Sequence, residues 1–368
     1  MIKVVHIITC LNKGGAERSL YTLIVNKETI GKHLIISLKD IGYYGKLLKN
    51  EGFTIYALNI NNFYDLFTKL IYLKNIINKF NPDLIQGWMY HGNLIAFLIS
   101  IFSFPKRKFL WNIRMSLHKD KKTFDKKTDF INKFCSIFSW IPCKIIFNSY
   151  QSMKDHNSIG YLDKNFYCIE NGFNTDFWKP SLRKRQKFRQ KNNFDEDSFV
   201  IGFIGRFDEV KNLELLIDSF LRIENSISKA RLICIGDNLK QNFTHIKSSN
   251  IIFLDFQSNI KDWICSFDIL CLPSKVEGFA NVLGESMSCE VPCIASNIGD
   301  SARIISDTGW IFKSEDKESL IDLLITTYNL DKKKLKSIAR KARRRIIENY
   351  SLSKTVSKYN SLYKSIIF

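Results

Sequence analysis

The chain has 368 residues, 45% apolar and 25% charged, proportions that exclude a disordered chain, a collagen-like fibre and a coiled coil. The length fits two domains. Lys and Arg number 55 against 36 Asp and Glu, a formal charge of +19, which points to an anionic partner: phosphate ligands, nucleic acid or an acidic membrane face.

Short β-rich apolar runs alternate with longer helical patterns from the start. The first run, residues 3–9, follows a single basic residue and precedes no small-residue cleavage site, so it reads as a strand and not as a signal peptide. Further strands are expected at 33–38, 54–58, 83–87, 108–113 and 144–148. Helices are expected between them, for example at 16–27, 64–80 and 93–103. In 64–80 the residues Leu66, Phe67, Leu70, Ile71, Leu73, Ile76, Ile77 and Phe80 recur at helical spacing. The longest apolar stretch, 94–104, stops at Pro105 and is too short to span a bilayer. Strand–helix alternation means βαβ units and a mostly parallel sheet.

After Pro180 the chain turns polar, with RKRQKFRQKNNFDEDS, and the pattern then restarts. Strands are expected at 199–205, 231–236, 251–254, 268–272 and 292–296, with helices at 211–223 and from about Asn281. The expected organisation is α/β, with two facing Rossmann-like domains of parallel sheet, 1–180 and 181–368. The nine cysteines are spread singly with no CxxC pair, and read as buried free thiols in a reducing compartment.

Two constellations carry candidate chemistry. Gly205-Arg206-Phe207-Asp208-Glu209-Val210-Lys211 follows a buried strand and precedes a helix. Ligands in open parallel sheets bind at such strand ends, and a helix N-terminus favours an anion. Arg206 and Lys211 would add a fork and a point charge for phosphate oxygens; a solvated loop with surface charges is the other reading. The second constellation runs from Glu277 through Gly278 to Glu285, which is expected two turns into a helix. Gly278 lets backbone approach a ligand. Two carboxylates also suit a glycosidase, or a helix cap plus a surface acid.

IGRFDEVKNLELLI followed by PSKVEGFANVLGESMSCEVPCIAS resembles the nucleotide-sugar half of family 4 retaining glycosyltransferases of the GT-B fold, bacterial surface-polysaccharide type. LNKGGAERSL resembles the family's glycine-rich acceptor-side loop, and CIENGFNTDFW its segment leading into the linker. QGWMYHGN and IGDSARIISDTG resemble the bacterial subgroup that builds surface polysaccharides. The resemblance implies that Arg206 and Lys211 hold the donor diphosphate and that Glu285 accepts the ribose hydroxyls. It implies that Glu277 contacts the transferred sugar, beside Gly205 and Gly278, with the Phe279, Ala280 and Asn281 backbone over sugar and phosphate. Gly14 and Gly15 would meet phosphate from the first domain. No metal and no cofactor are implied; the donor is a UDP- or GDP-linked sugar and the acceptor lipid-linked or a saccharide. The last helix of such enzymes is expected to pack back on the first domain.

Many relatives carry a histidine after the strand at 108–113, where this chain has Met115; His118 lies three residues on, and His91 also points toward the cleft. Asp195-Glu196-Asp197 reads as a solvated turn, not a metal motif. Residues 106–133 carry ten Lys or Arg against three Asp, with Phe124, Phe130 and Phe134 interleaved, which suits an acidic membrane surface or a solvated face. Residues 332–345, with nine basic residues, read as a solvated helix. No nucleic-acid reader motif is present. The expectation is a cytoplasmic transferase, peripheral on the inner face of the membrane. The alternatives are a nucleotide-sugar 2-epimerase and a non-catalytic basic binding protein.

Overall fold

The computed structural model describes residues 1–103, 106–117, 125–195 and 197–368, without the side chains of residues 63, 64, 66 and 67. Contacts divide them into two units, Met1–Gly172 with Leu352–Phe368, and Phe173–Ser351.

The first unit holds β1 (Lys3–Ile8), β2 (Lys32–Ser37), β3 (Thr54–Ala57), β4 (Leu84–Trp88), β5 (Phe109–Ile113), β6 (Lys144–Phe147) and β7 (Phe166–Cys168). They pair in parallel in the order β3-β2-β1-β4-β5-β6-β7. Side chains alternate between faces along a strand, and here both faces are covered. Val5 and Ile7 enter one core with Trp111 and Phe147, whereas Val4 and Ile8 enter the other with Leu110 and Ile146. That double burial is why the strands read as unbroken apolar runs. The last helix, Leu352–Ile367, belongs to this unit: Val356, Tyr359 and Tyr363 cover the second core, and the Tyr363 hydroxyl donates to Gln86 at 2.5 Å.

The second unit holds β8 (Phe199–Ile204), β9 (Ala230–Ile235), β10 (Ile251–Leu254), β11 (Ile269–Leu272), β12 (Cys293–Ser296) and β13 (Trp310–Phe312), also all parallel, in the order β10-β9-β8-β11-β12-β13. Ile201 and Phe203 face the helix Leu213–Ile223, which returns Leu213, Leu216, Ile217 and Phe220 at helical spacing. Val200, Leu270 and Ala295 face the opposite core.

Four expectations change. The division falls after Gly172, not after Pro180, because Phe173 and Trp178 are buried in the second unit's core. The polar stretch after Pro180 contains a helix, Leu182–Lys191, held by ion pairs from Arg185 and Arg189 to Asp268. The helix expected from residue 93 begins at Met89, so His91 lies in its first turn. Finally, the basic helix Lys332–Tyr350 is not merely solvated. Arg343 donates to the carbonyls of Trp178, Thr175 and Ser288, and Arg345 to those of Ile304 and Arg303.

Three histidines of the first unit are buried and neutral. Trp88 Nε1 donates to His6 Nδ1 at 3.1 Å, His6 Nε2 meets His33 Nδ1 at 2.9 Å, and His33 Nε2 meets the Ile30 carbonyl at 3.1 Å. One proton on each ring satisfies the whole chain. His156 lies between the Tyr90 hydroxyl and the Ser152 carbonyl, each at 2.7 Å. Burial pushes His33 and His156 down to about 4, and His6 well down, with His33 adding to the fall. A base whose folded pKa is depressed binds its proton more readily when unfolded. Its stabilising contribution is present above the unfolded value near 6.5 and is lost as pH falls toward 4. His33 and His156 should each remove about 2 kcal/mol between pH 7 and pH 5. Urea titrations followed by tryptophan fluorescence should show the midpoint falling over that range; a constant midpoint would show that these rings are not buried neutral.

Candidate active site

The carboxyl ends of β8, β9 and β11 converge on one cluster in the second unit. Gly205 donates its N–H to the Ile235 carbonyl at 3.0 Å, continuing β8 beside β9. Gly236 faces this turn so closely that a Cβ there would stand 1.8 Å from the Gly205 carbonyl oxygen. Arg206 then reaches out: its side chain is 70% exposed and donates to Asp208 through Nε at 2.9 Å and a terminal nitrogen at 2.6 Å. Asp208 also accepts from the Val210 N–H at 3.2 Å. Partial burial pushes the Asp208 carboxyl up, but these bonds and the Arg206 and Lys211 charges hold it below its ordinary value.

Lys211 closes a 3-10 turn, Glu209–Lys211, and the long helix starts only at Leu213, because Asn212 takes a left-handed conformation (φ 50°). This turn, not the helix, delivers Lys211. Its ammonium lies 2.6 Å from Glu277 Oε1, which also accepts the Ser274 hydroxyl at 2.8 Å. The Lys275 N–H donates to the Val210 carbonyl at 2.8 Å, so the loop after β11 is stitched to the turn after β8. Gly299 backs the same loop at φ +60°, where a Cβ would lie 2.3 Å from the Glu277 carbonyl oxygen, and the Asp300 N–H donates to the Gly278 carbonyl.

Phe279 and Ala280 point their side chains into the core, Phe279 stacking on Phe173. Their backbone leads into the helix Asn281–Ser288, whose amino end has no side-chain cap. Such an end presents N–H groups to an acceptor. Glu285 is buried in that helix, at its fifth position: just over one turn in, not two.

The structure therefore brings Gly205, Arg206, Lys211, Glu277 and Gly278 into one hydrogen-bonded region. Asp208, Ser274 and Gly299 were not singled out in the sequence. Asp208 carried a signal, an acid two residues after Arg206 in cap position; Ser274 and Gly299 carried none without the fold. Asp197 pairs with Lys229 at 2.8 Å and Lys332 at 3.7 Å, at the other end of the unit; Glu196 lies outside the described residues.

In the first unit Gly14 precedes the helix Gly15–Val25 without a side-chain cap. The Glu17 carboxylate folds over it, 2.3 Å from where a Gly14 Cβ would stand, and accepts a contact from Cys10 Sγ at 3.7 Å. Burial pushes Glu17 up. His91 is half-buried, and burial pushes it down. His118 lies outside the described residues. Among the described residues no three His, Cys, Asp or Glu side chains group to hold a metal.

The family model of glycosyl transferases group 1 matches residues 184–345, the span that carries this cluster. The chain is 26% identical over 318 residues to the capsular polysaccharide biosynthesis glycosyltransferase CapH of Staphylococcus aureus, covering 83% of this chain and 84% of that one. It is 24% identical over 211 residues to the UDP-Gal:alpha-D-GlcNAc-diphosphoundecaprenol alpha-1,3-galactosyltransferase of Escherichia coli, 54% of each chain. Among solved structures, Anabaena Alr3699/HepE in complex with UDP superposes with a TM-score of 0.86 at 18% identity, over 99% of this chain and 100% of that one. The chain has the GT-B fold of these structures.

Proposed function

We propose that this protein is a glycosyltransferase of surface-polysaccharide synthesis, of the O-antigen or capsule kind, retaining and metal-independent. It moves a sugar from a UDP- or GDP-linked donor to a lipid-linked or saccharide acceptor. The observation that carries the reading is the Lys211–Glu277 pair at 2.6 Å, at the strand ends of the group 1 domain, with Arg206 exposed beside it. A cation for phosphate and a carboxylate for sugar hydroxyls stand side by side. Both Glu277 contacts land on Oε1, which leaves Oε2 to accept a hydroxyl. The bond from the anomeric carbon to the donor phosphate breaks, and negative charge builds on that phosphate. Arg206 and Lys211 stabilise the charge where it develops. The acceptor oxygen bonds the anomeric carbon from the same face, and its proton passes to the leaving phosphate oxygen. The E. coli relative acts on a diphosphoundecaprenol-linked sugar with UDP-Gal, which supports a nucleotide donor and a lipid-linked acceptor.

Docking on an acidic membrane face is the second part of the proposal. The helix Lys126–Ile137 exposes Phe130 and Ile137, with Trp140 just beyond, among exposed Lys126, Lys127 and Lys133. No helix among the described residues is long and apolar enough to cross a membrane. Apolar side chains among lysines suit interfacial binding. One experiment tests both parts: the full chain is mixed with UDP- and GDP-sugars and with anionic vesicles at low and high salt. One base class should raise the melting temperature, ligand at 100 times Kd adding about 2.7 kcal/mol. Sedimentation with vesicles should fall steeply with salt. Indifference to both nucleotides would sink the donor reading; salt-independent sedimentation, or none, would sink the docking.

A further inference from the structure

Arg114 is the first residue beyond β5, at the carboxyl edge of the first unit's sheet. It stands one strand from the place where the strand order reverses, between β1 and β4, and open α/β sheets bind ligands at such edges. Its guanidinium lies over the ring of Trp88, the last residue of β4, 5.7 Å from the ring centroid. Trp88 is fully buried and bonded through Nε1 to His6, so the guanidinium rests on a rigid floor.

The hydrogen bonds of Arg114 all go to neutral groups. One terminal nitrogen donates to the Tyr359 hydroxyl at 3.1 Å and to Asn112 Oδ1 at 3.4 Å, and the other donates to Asn171 Oδ1. Nε is buried without an acceptor. Among the described residues no carboxylate pairs with this guanidinium, whereas Arg185 and Arg189 of the second unit share Asp268. Donors crowd the few acceptors present: the Tyr359 hydroxyl also accepts from Asn112 Nδ2 at 2.8 Å. Burial pushes that hydroxyl up, against the pull of Arg114, so it stays neutral and supplies no counter-charge. A part-buried cation held only by neutral acceptors is short of an anion.

We propose that Arg114 binds a phosphate of the lipid-linked acceptor, an inference that rests on the acceptor class proposed above. The terminal nitrogen bonded to Asn171 has a second N–H to give, and the long bond to Asn112 is readily exchanged, so two donors can serve one phosphate. The same side chain ties the last helix, through Tyr359, to the end of β5. A residue that did only this would need no charge, and a charge left without its partner is costly there.

The test uses the full chain at physiological salt, saturated with whichever of UDP or GDP it binds. Farnesyl diphosphate is titrated in by calorimetry, with inorganic pyrophosphate as competitor and farnesol as the uncharged control. The wild-type chain should bind farnesyl diphosphate, pyrophosphate should compete, and farnesol should bind far more weakly. Arg114→Gln should weaken diphosphate binding roughly 10–100-fold and leave nucleotide binding intact. Arg114→Lys keeps the charge but loses the fork, so it should recover part of that affinity. A side chain that only tied the helix down would give no such recovery, since lysine cannot span Tyr359, Asn112 and Asn171 together. Arg114→Lys and the wild-type titration also carry the test if the glutamine variant does not fold. No binding of farnesyl diphosphate to the wild-type chain, equal losses in both variants, or a loss confined to nucleotide affinity would overturn the proposal. If neither nucleotide binds, the donor reading fails, and the same titration without nucleotide still decides the role of Arg114.

Discussion

Arg206→Ala should lower kcat/KM by about 10²–10³, the scale of losing one preorganised donor to a developing charge. Its stability should scarcely change, because the Arg206 side chain is 70% exposed and, among the described residues, pairs with its near neighbour Asp208. Lys211→Ala should lose as much activity but behave differently in unfolding. Lys211 is part-buried on Glu277, whose side chain is only 12% exposed. Removing the ammonium leaves that carboxylate without its cation, so Lys211→Ala should be measurably less stable while Arg206→Ala is not. The double variant should fall short of the sum of the two losses in kcal/mol, because both cations serve one anion. Initial-rate assays beside urea titrations separate these outcomes. Near wild-type turnover in Arg206→Ala would remove the phosphate clamp from the account.

Glu285→Gln and Glu277→Gln should part company. A carboxylate accepting ribose hydroxyls contributes on the order of 1.5–3 kcal/mol. Glu285→Gln should therefore weaken binding of the free nucleoside diphosphate roughly 10–100-fold. Glu277→Gln should leave that affinity nearly intact and cut transfer, because its partner hydroxyls exist only on the intact donor. The Lys211 contact qualifies this: weakening it frees the ammonium, so any change in nucleotide affinity in Glu277→Gln should be a gain and not a loss.

Much of this was legible because burial on both faces of a parallel sheet leaves apolar runs that composition cannot disguise. Lys3–Ile8, Phe199–Ile204 and Ile269–Leu272 are such runs, and each heads a βα unit. β7 and β13 were not legible; they have three residues each, at sheet edges, and of their side chains only that of Phe312 is buried. The helix Leu182–Lys191 was hidden because its anchor, Asp268, is distant in sequence and its own residues are nearly all polar. At the site, the positions of Arg206, Lys211, Glu277 and Glu285 after strands could be read. The Lys211–Glu277 contact could not, since it joins loops 66 residues apart. Nor could the 3-10 turn, which depends on Asn212 accepting a left-handed backbone.

The most direct measurement is calorimetric titration of UDP and GDP into the full chain, with Glu285→Gln and Glu277→Gln beside it. Saturable binding of one nucleotide at one site, weakened by Glu285→Gln and spared by Glu277→Gln, is the predicted result. No binding of either nucleotide to the wild-type chain, or binding that both variants lose equally, would contradict a donor site built on these strand ends.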